Sequence, residues 1–177
     1  TLTHGKPELT RVVPLEGSGF DEDRLLALAA AVEKRSGHPL AQAVVRAAER
    51  RSLQVAEAGE LASLTGRGIR AQVNGSQVRL GNRKLFEEAR IPIPPALWAS
   101  LRDLESDGGT TIIVGVGSEA VGVLALADEP RANARQTIER LHRLGVRETF
   151  LLTGDNPLAA ARVARALGID TVRAGLL

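Results

Sequence analysis

The feature that most limits what this chain can fold into is a change of strand grammar near Ala127. Before it, apolar runs come in neighbouring pairs: 69–73 and 77–80 flank Asn74-Gly75, and 110–116 and 120–127 flank Gly117-Ser118. Asn-Gly between two alternating runs favours a type I′ turn and so a β-hairpin. Adjacent hairpins build an antiparallel sheet. After Ala127 the pattern becomes strand, helix through Ile138, Leu141 and Leu144, strand at 149–152, helix at 157–167 and strand near 171–173. That order is βαβαβ, the grammar of a parallel, Rossmann-like sheet. The sequence therefore predicts two parts, an α+β module and a piece of a doubly wound α/β sheet.

The rest of the α+β module follows from local signals. Residues 9–13 read as a short strand, and Asp21 is placed to cap a helix carrying Leu25, Leu28, Ala29 and Val32. Gly37 offers a left-handed helix end and Pro39 suits a new first turn, so a second helix with Leu40, Val44 and Ala47 begins there. The mixed stretch 53–64 holds one strand with irregular parts. A short helix over 82–89, a proline-rich linker at 91–95 and a helix with Leu97, Leu101 and Leu104, closed by Gly108-Gly109, complete the series.

Composition bounds function chiefly by exclusion. With three Phe, one Trp and no Tyr, the core must be aliphatic. A net charge of +2, scattered basic residues and no interleaved aromatics set nucleic acid aside as a partner. No Cys and three isolated His leave neither disulfide nor thiolate nor histidine-cluster metal chemistry. No apolar run approaches the ~20 residues that cross a bilayer, and no signal peptide is visible. The first residue is Thr, which reads as a piece of something larger.

Four stretches can carry chemistry, and each also has a plain structural reading. His38 sits at a helix–helix corner with Glu33 one and a half turns earlier, either as a structural corner or as an imidazole presented beside a carboxylate. Gly66-Arg67-Gly68 precedes a strand and opens no helix, so it is not a dinucleotide fingerprint. Its glycines serve either a turn or the close approach of backbone to a flat ligand. At the end of the hairpin's second strand, Gly81-Asn82 reads as a strand exit with a helix cap. At 150–157 a strand runs into a helix N-terminus, where ligands gather in open parallel sheets and phosphate is favoured. There Asn156 reads as a cap, while Thr153 and Asp155 are open between cap geometry and phosphoryl contacts.

Thr1-Leu2-Thr3, Ser36-Gly37-His38-Pro39-Leu40-Ala41, Gly66-Arg67-Gly68, Gly81-Asn82, Asp128-Glu129-Pro130-Arg131 and Thr153-Gly154-Asp155-Asn156 occur together and in order. Over essentially its whole length the chain thereby resembles the large cytoplasmic loop of heavy-metal-transporting P-type ATPases. The resemblance implies an ATP-binding (N) domain, residues 9–124, inserted in a partial phosphorylation (P) domain of haloacid-dehalogenase type, residues 1–8 and 125–177. It implies that Glu33, His38, Gly66, Gly68 and Asn82 line the nucleotide pocket. It further implies that Thr153 and Asp155 support the phosphoryl site, that Asp128 and Arg131 form a hinge-side motif, and that the cofactors are ATP and Mg²⁺. The expected partners are ATP and the remainder of a pump, its actuator and transmembrane domains, at the cytoplasmic face of the cell membrane.

The resemblance also marks what is not in the sequence. The family's aspartyl nucleophile lies in Asp-Lys-Thr-Gly-Thr-Leu-Thr, of which only the last three residues stand here, and the later lysine and Mg-binding aspartates are expected past Leu177. The chain is thus expected to bind nucleotide without forming an acyl-phosphate. Many family members carry an acid where Gly37 stands, and a third glycine is missing after Gly68. Segments 8–11 and 124–128 are the expected hinges between the two parts. The 71–75 hairpin, 152–157 and the last four residues resemble zinc/cadmium/lead exporters more than copper exporters. A haloacid-dehalogenase phosphatase fragment and a nucleotide-sensing module are the rival classes. The first would need an aspartate near the start, and no Asp precedes Asp21.

Overall fold

Two helical layers sandwich one antiparallel sheet, and the helices are laid down in pairs between strands. A computed structural model describes residues 2, 6–106, 108–128, 131, 133–154 and 157–176. Strand β1 (Glu8–Pro14) is followed by helices α1 (Glu22–Glu33) and α2 (Pro39–Arg50). Strands β2 (Ala58–Leu64), β3 (Gly68–Val73) and β4 (Ser76–Gly81) come next, then helices α3 (Arg83–Glu88) and α4 (Pro95–Ser106). Strands β5 (Thr110–Val116) and β6 (Glu119–Ala127) close the six-stranded sheet, whose order is β1-β6-β5-β4-β3-β2. All its pairings are antiparallel.

Side-chain alternation along the strands feeds two cores. On one face, Leu25, Leu26 and Val32 of α1 and Val44 of α2 pack on Leu80, Val114, Leu124 and Leu126. On the other, Leu85 and Phe86 of α3 and Leu97 and Leu101 of α4 pack on Ile113 and Val123. Burial on both faces explains why β6 reads as a nearly continuous apolar run. Phe86 is the one aromatic side chain among the largest fully buried ones, in keeping with an aliphatic core.

The expected hairpin forms, with Asn74 and Gly75 both at positive φ (50° and 78°), as a type I′ turn requires. Asp21 caps α1 by accepting from the Arg24 N–H at 2.8 Å. The irregular stretch before β3 resolves into β2, with Glu60 at φ 47° inside a register shift between Gly59 and Ala62, a β-bulge. Gly108 and Gly109 close α4 by donating to Glu105 and Leu104 carbonyls.

Two expectations are corrected. Helix α1 stops at Glu33 with Lys34 as its C-cap, and Gly37 does not take the left-handed conformation. The corner is made by the Ser36 N–H bonding back to the Glu33 carbonyl at 2.8 Å. The strand ending at Ala127 does not open a parallel βαβαβ piece. It is paired along its length with β1 and β5, and apolar periodicity cannot distinguish a sheet-central antiparallel strand from a parallel one. Parallel pairing is confined, among the described residues, to β7 (Phe150–Leu152) and β8 (Thr171–Arg173), joined by α6 (Pro157–Leu167). With α5 (Ala134–Arg143) they enclose a small third cluster of Ala134, Ile138, Ala164, Leu167 and Ile169.

The expected hinge segments lie in paired strands. Glu8 faces Ala127 and Leu9 faces Leu126, with a bulge at Thr10, whose hydroxyl donates to the Ala125 carbonyl at 3.1 Å. No helix among the described residues is long and apolar enough to cross a membrane.

Candidate functional site

The α1–α2 corner and the β2–β3 turn face each other across one end of the sheet. Between them lies a pocket of about 390 Å³ whose lining includes all five residues singled out for it: Glu33, His38, Gly66, Gly68 and Asn82. Leu40, Ile69, Leu80 and Ile112 give it apolar walls. A larger cleft of about 620 Å³, lined by Thr10, Arg11, Leu104 and residues of α6, contains none of them. The smaller pocket is the one that joins apolar wall, buried acid and imidazole, the mixture expected of a small-molecule site.

Glu33 is the one buried charged residue among those described, 8% exposed at the last position of α1. Burial pushes its carboxyl above the ordinary glutamate range, and a hydrogen bond with Ser36 opposes that shift. An acid held so, facing a cavity, is poised to accept from a ligand N–H. The sequence marks Ser36 only as the first residue of the motif around His38 and gives it no contact with Glu33, although three residues beyond Glu33 is the spacing at which a chain leaving a helix folds back.

His38 is the N-cap of α2. Its Nδ1 accepts from the Leu40 N–H at 3.2 Å, and Pro39 fills the first helical position. With Nδ1 accepting, the neutral ring carries its proton on Nε2. The structural and the ligand-presenting readings of His38 are thus compatible: one nitrogen holds the helix and the other is free for the pocket.

The Gly66-Arg67-Gly68 turn is held mainly by the chain itself. Gly68 sits at φ 150° opposite Gly81, where a Cβ would lie 2.0 Å from the Leu80 carbonyl oxygen. Gly66 has φ 69° and open space where a side chain would stand, so only at Gly66 does the missing side chain leave room for a ligand. Asn82 is committed in the same way. Its Oδ1 accepts from the Leu85 N–H (3.2 Å) to cap α3, and its Nδ2 donates to the Gly66 carbonyl (2.9 Å). Asn82 therefore fixes the turn that forms the pocket's wall. Cross-strand commitments of this kind leave no trace in periodicity.

Thr153 does not line this pocket. It stands just past β7, its N–H donating to the Arg173 carbonyl and its own carbonyl accepting from the Leu176 N–H. Asp155 and Asn156 lie outside the described residues, as do Glu129 and Pro130 of the hinge-side motif. Arg131 donates its N–H to the Leu2 carbonyl at 2.9 Å. No group of three or more His, Asp or Glu among the described residues can hold a metal ion.

A family model for haloacid dehalogenase-like hydrolases matches residues 1–176. The whole chain is 44% identical to a zinc/cadmium/lead-transporting P-type ATPase of Escherichia coli and 40% identical to a probable copper-exporting P-type ATPase of Mycobacterium tuberculosis, covering 23% of each. Among solved structures, a zinc-transporting PIB-type ATPase in its E2·Pi state superposes on the whole chain with a TM-score of 0.80 at 43% identity, over 28% of that protein. The chain thus spans about a quarter of the length of the curated relatives it matches.

Proposed function

Because the chain belongs to the haloacid dehalogenase-like hydrolase family and is homologous along its whole length to heavy-metal P-type ATPases, we propose that it is the ATP-binding part of such a pump. The observation that carries this reading is the convergence of Glu33, His38 and the Gly66 turn on one apolar-walled pocket. In this reading the ring of adenine lies between the apolar walls, its amino group donates to Glu33, and His38 Nε2 donates to or stacks on it. Gly66 leaves space at the ring's edge. Residues 9–124 form the nucleotide-binding domain; 1–8 and 125–177 belong to the phosphorylation domain, where Thr153 and Asp155 support the phosphoryl site. ATP hydrolysis by the parent pump drives metal export at the cytoplasmic face of its membrane, with the actuator and transmembrane domains as partners. Mg²⁺ arrives with the phosphates, whose oxygens suit that hard cation, and offsets their charge.

Calorimetric titration with ATP, on the parent chain and on His38→Ala, tests the reading. Loss of the imidazole contact should weaken binding by about ten- to a hundredfold with the circular dichroism unchanged. Equal affinities would return His38 to the role of a helix cap alone. For the cargo, the motif resemblance favours zinc, cadmium or lead over copper; relatives of both kinds match the whole chain, at 44% and 40% identity. Zn²⁺-stimulated but Cu⁺-insensitive ATPase activity of the full-length pump is the expected result, and the converse would reassign the cargo.

A further inference from the structure

Resting on that nucleotide reading, we propose that Arg67 anchors the ligand's phosphate chain and that Glu88 holds it in reserve until the ligand arrives. Arg67 is the single lysine or arginine among the described residues of the pocket lining. Its Nη1 sits 2.7 Å from Glu88 Oε2, at the last residue of α3, and the two side chains are 44% and 43% exposed. The backbone beneath it is fixed on both sides. Its N–H donates to the Leu64 carbonyl and its own carbonyl accepts from the Asn82 N–H, both at 2.9 Å. The root of the side chain is therefore held at the pocket rim, while the half-exposed guanidinium is held by its pair with Glu88.

An exposed ion pair with one carboxylate contributes little and is easily exchanged. A polyphosphate offers several charges and the paired oxygens that a guanidinium matches best, so it displaces Glu88. Between its apolar walls the pocket also carries two acid–base groups of opposite kind, the buried acid Glu33 on α1 and Arg67 on the β2–β3 turn. Arg67 attracts the anionic end of a nucleotide and the buried acid Glu33 does not, which sets the direction in which the ligand lies. Arg67 thus separates nucleotide from nucleoside, while Glu33 and His38 serve the base that both share.

The test is to titrate the whole chain with ATP and with adenosine, without magnesium and at low salt, for the parent, Arg67→Gln, Arg67→Lys and Glu88→Gln. The parent should prefer ATP by about tenfold or more, and Arg67→Gln should lose about that factor for ATP while binding adenosine as before. Arg67→Lys should keep part of the preference, and Glu88→Gln should bind ATP about two- to threefold more tightly. An unchanged ATP-to-adenosine ratio in Arg67→Gln would overturn the assignment. So would an equal loss of both ligands, which would make Arg67 a support of the turn. Failure of the parent to bind either ligand would instead overturn the nucleotide reading beneath it.

Discussion

The antiparallel module and the β7–α6–β8 unit are both built from apolar strands and helices yet reach different degrees of closure. The first buries both faces of its sheet under paired helices, so that β6 has eight of nine residues buried. The second has two strands of three residues each, and it leaves Phe150 55% and Leu152 66% exposed. A single parallel pair with one helix across it covers one face only, whereas α1–α2 and α3–α4 cover two. The difference also decides where a site can be held: the first module can afford a buried acid and a backbone crossing with no room for a Cβ.

The largest contrast should appear in the cores. Phe86→Ala should cost about 3–5 kcal/mol of unfolding free energy in denaturant, whereas Leu152→Ala should stay within about 0.5 kcal/mol. Similar losses at the two sites would erase the distinction between the regions. Next comes Gly68→Ala, which sets a Cβ against the Leu80 carbonyl and should cost at least about 2 kcal/mol. Gly66→Ala has the same sign of φ but open space, so its stability loss should be the smaller of the two. A reversed order, read from the denaturation midpoints, would mean the β3–β4 crossing is not the tight point.

The acids of the two regions should respond to pH with opposite signs. Burial raises the Glu33 carboxyl in the folded state. The folded chain then holds that proton to higher pH than the unfolded chain, so this group's contribution falls as pH rises from the ordinary value near 4.5 to the raised one. Glu33→Gln should therefore be the more stable form at pH 7, with its advantage shrinking below pH 4.5. Asp170 is the reverse case. Hydrogen bonds from the Thr149 hydroxyl (2.7 Å) and N–H (2.8 Å) hold it below the usual aspartate value. Its stabilisation is present above the unfolded value of 3.8 and is lost as pH falls through the depressed one. Asp170→Asn should be less stable than the parent at pH 7 and converge with it in acid. Parallel pH curves for the two variants would contradict the environments described. A small effect is expected on the helix cap: His38→Ala should cost under about 1 kcal/mol of stability.

Local rules recovered much of the module because its turns and caps are local. Asn74-Gly75 and Asp21 need only their neighbours, and both behave as their residue types require. The placement of β6 was not legible, since a strand buried on both faces looks alike in parallel and antiparallel sheets. At the site, the residues alone left His38 and Gly66 each with two readings and Asn82 as a cap, and family resemblance grouped them. What neither revealed were the long-range commitments: Asn82 tied to Gly66, Gly68 pressed against Leu80, and Arg67 paired with Glu88. Contacts across a dozen residues or more depend on strand pairing, which periodicity does not encode.

The most direct test of the central claim is to follow backbone amide shifts of the labelled chain by NMR during an ATP titration. Saturable shifts should concentrate at Glu33 to Ala41, at Ser63 to Ile69 and at Leu80 to Asn82, with β7, α6 and β8 little changed. Shifts centred on α6 and the larger cleft beside it, with the α1–α2 corner silent, would contradict the assignment of the pocket.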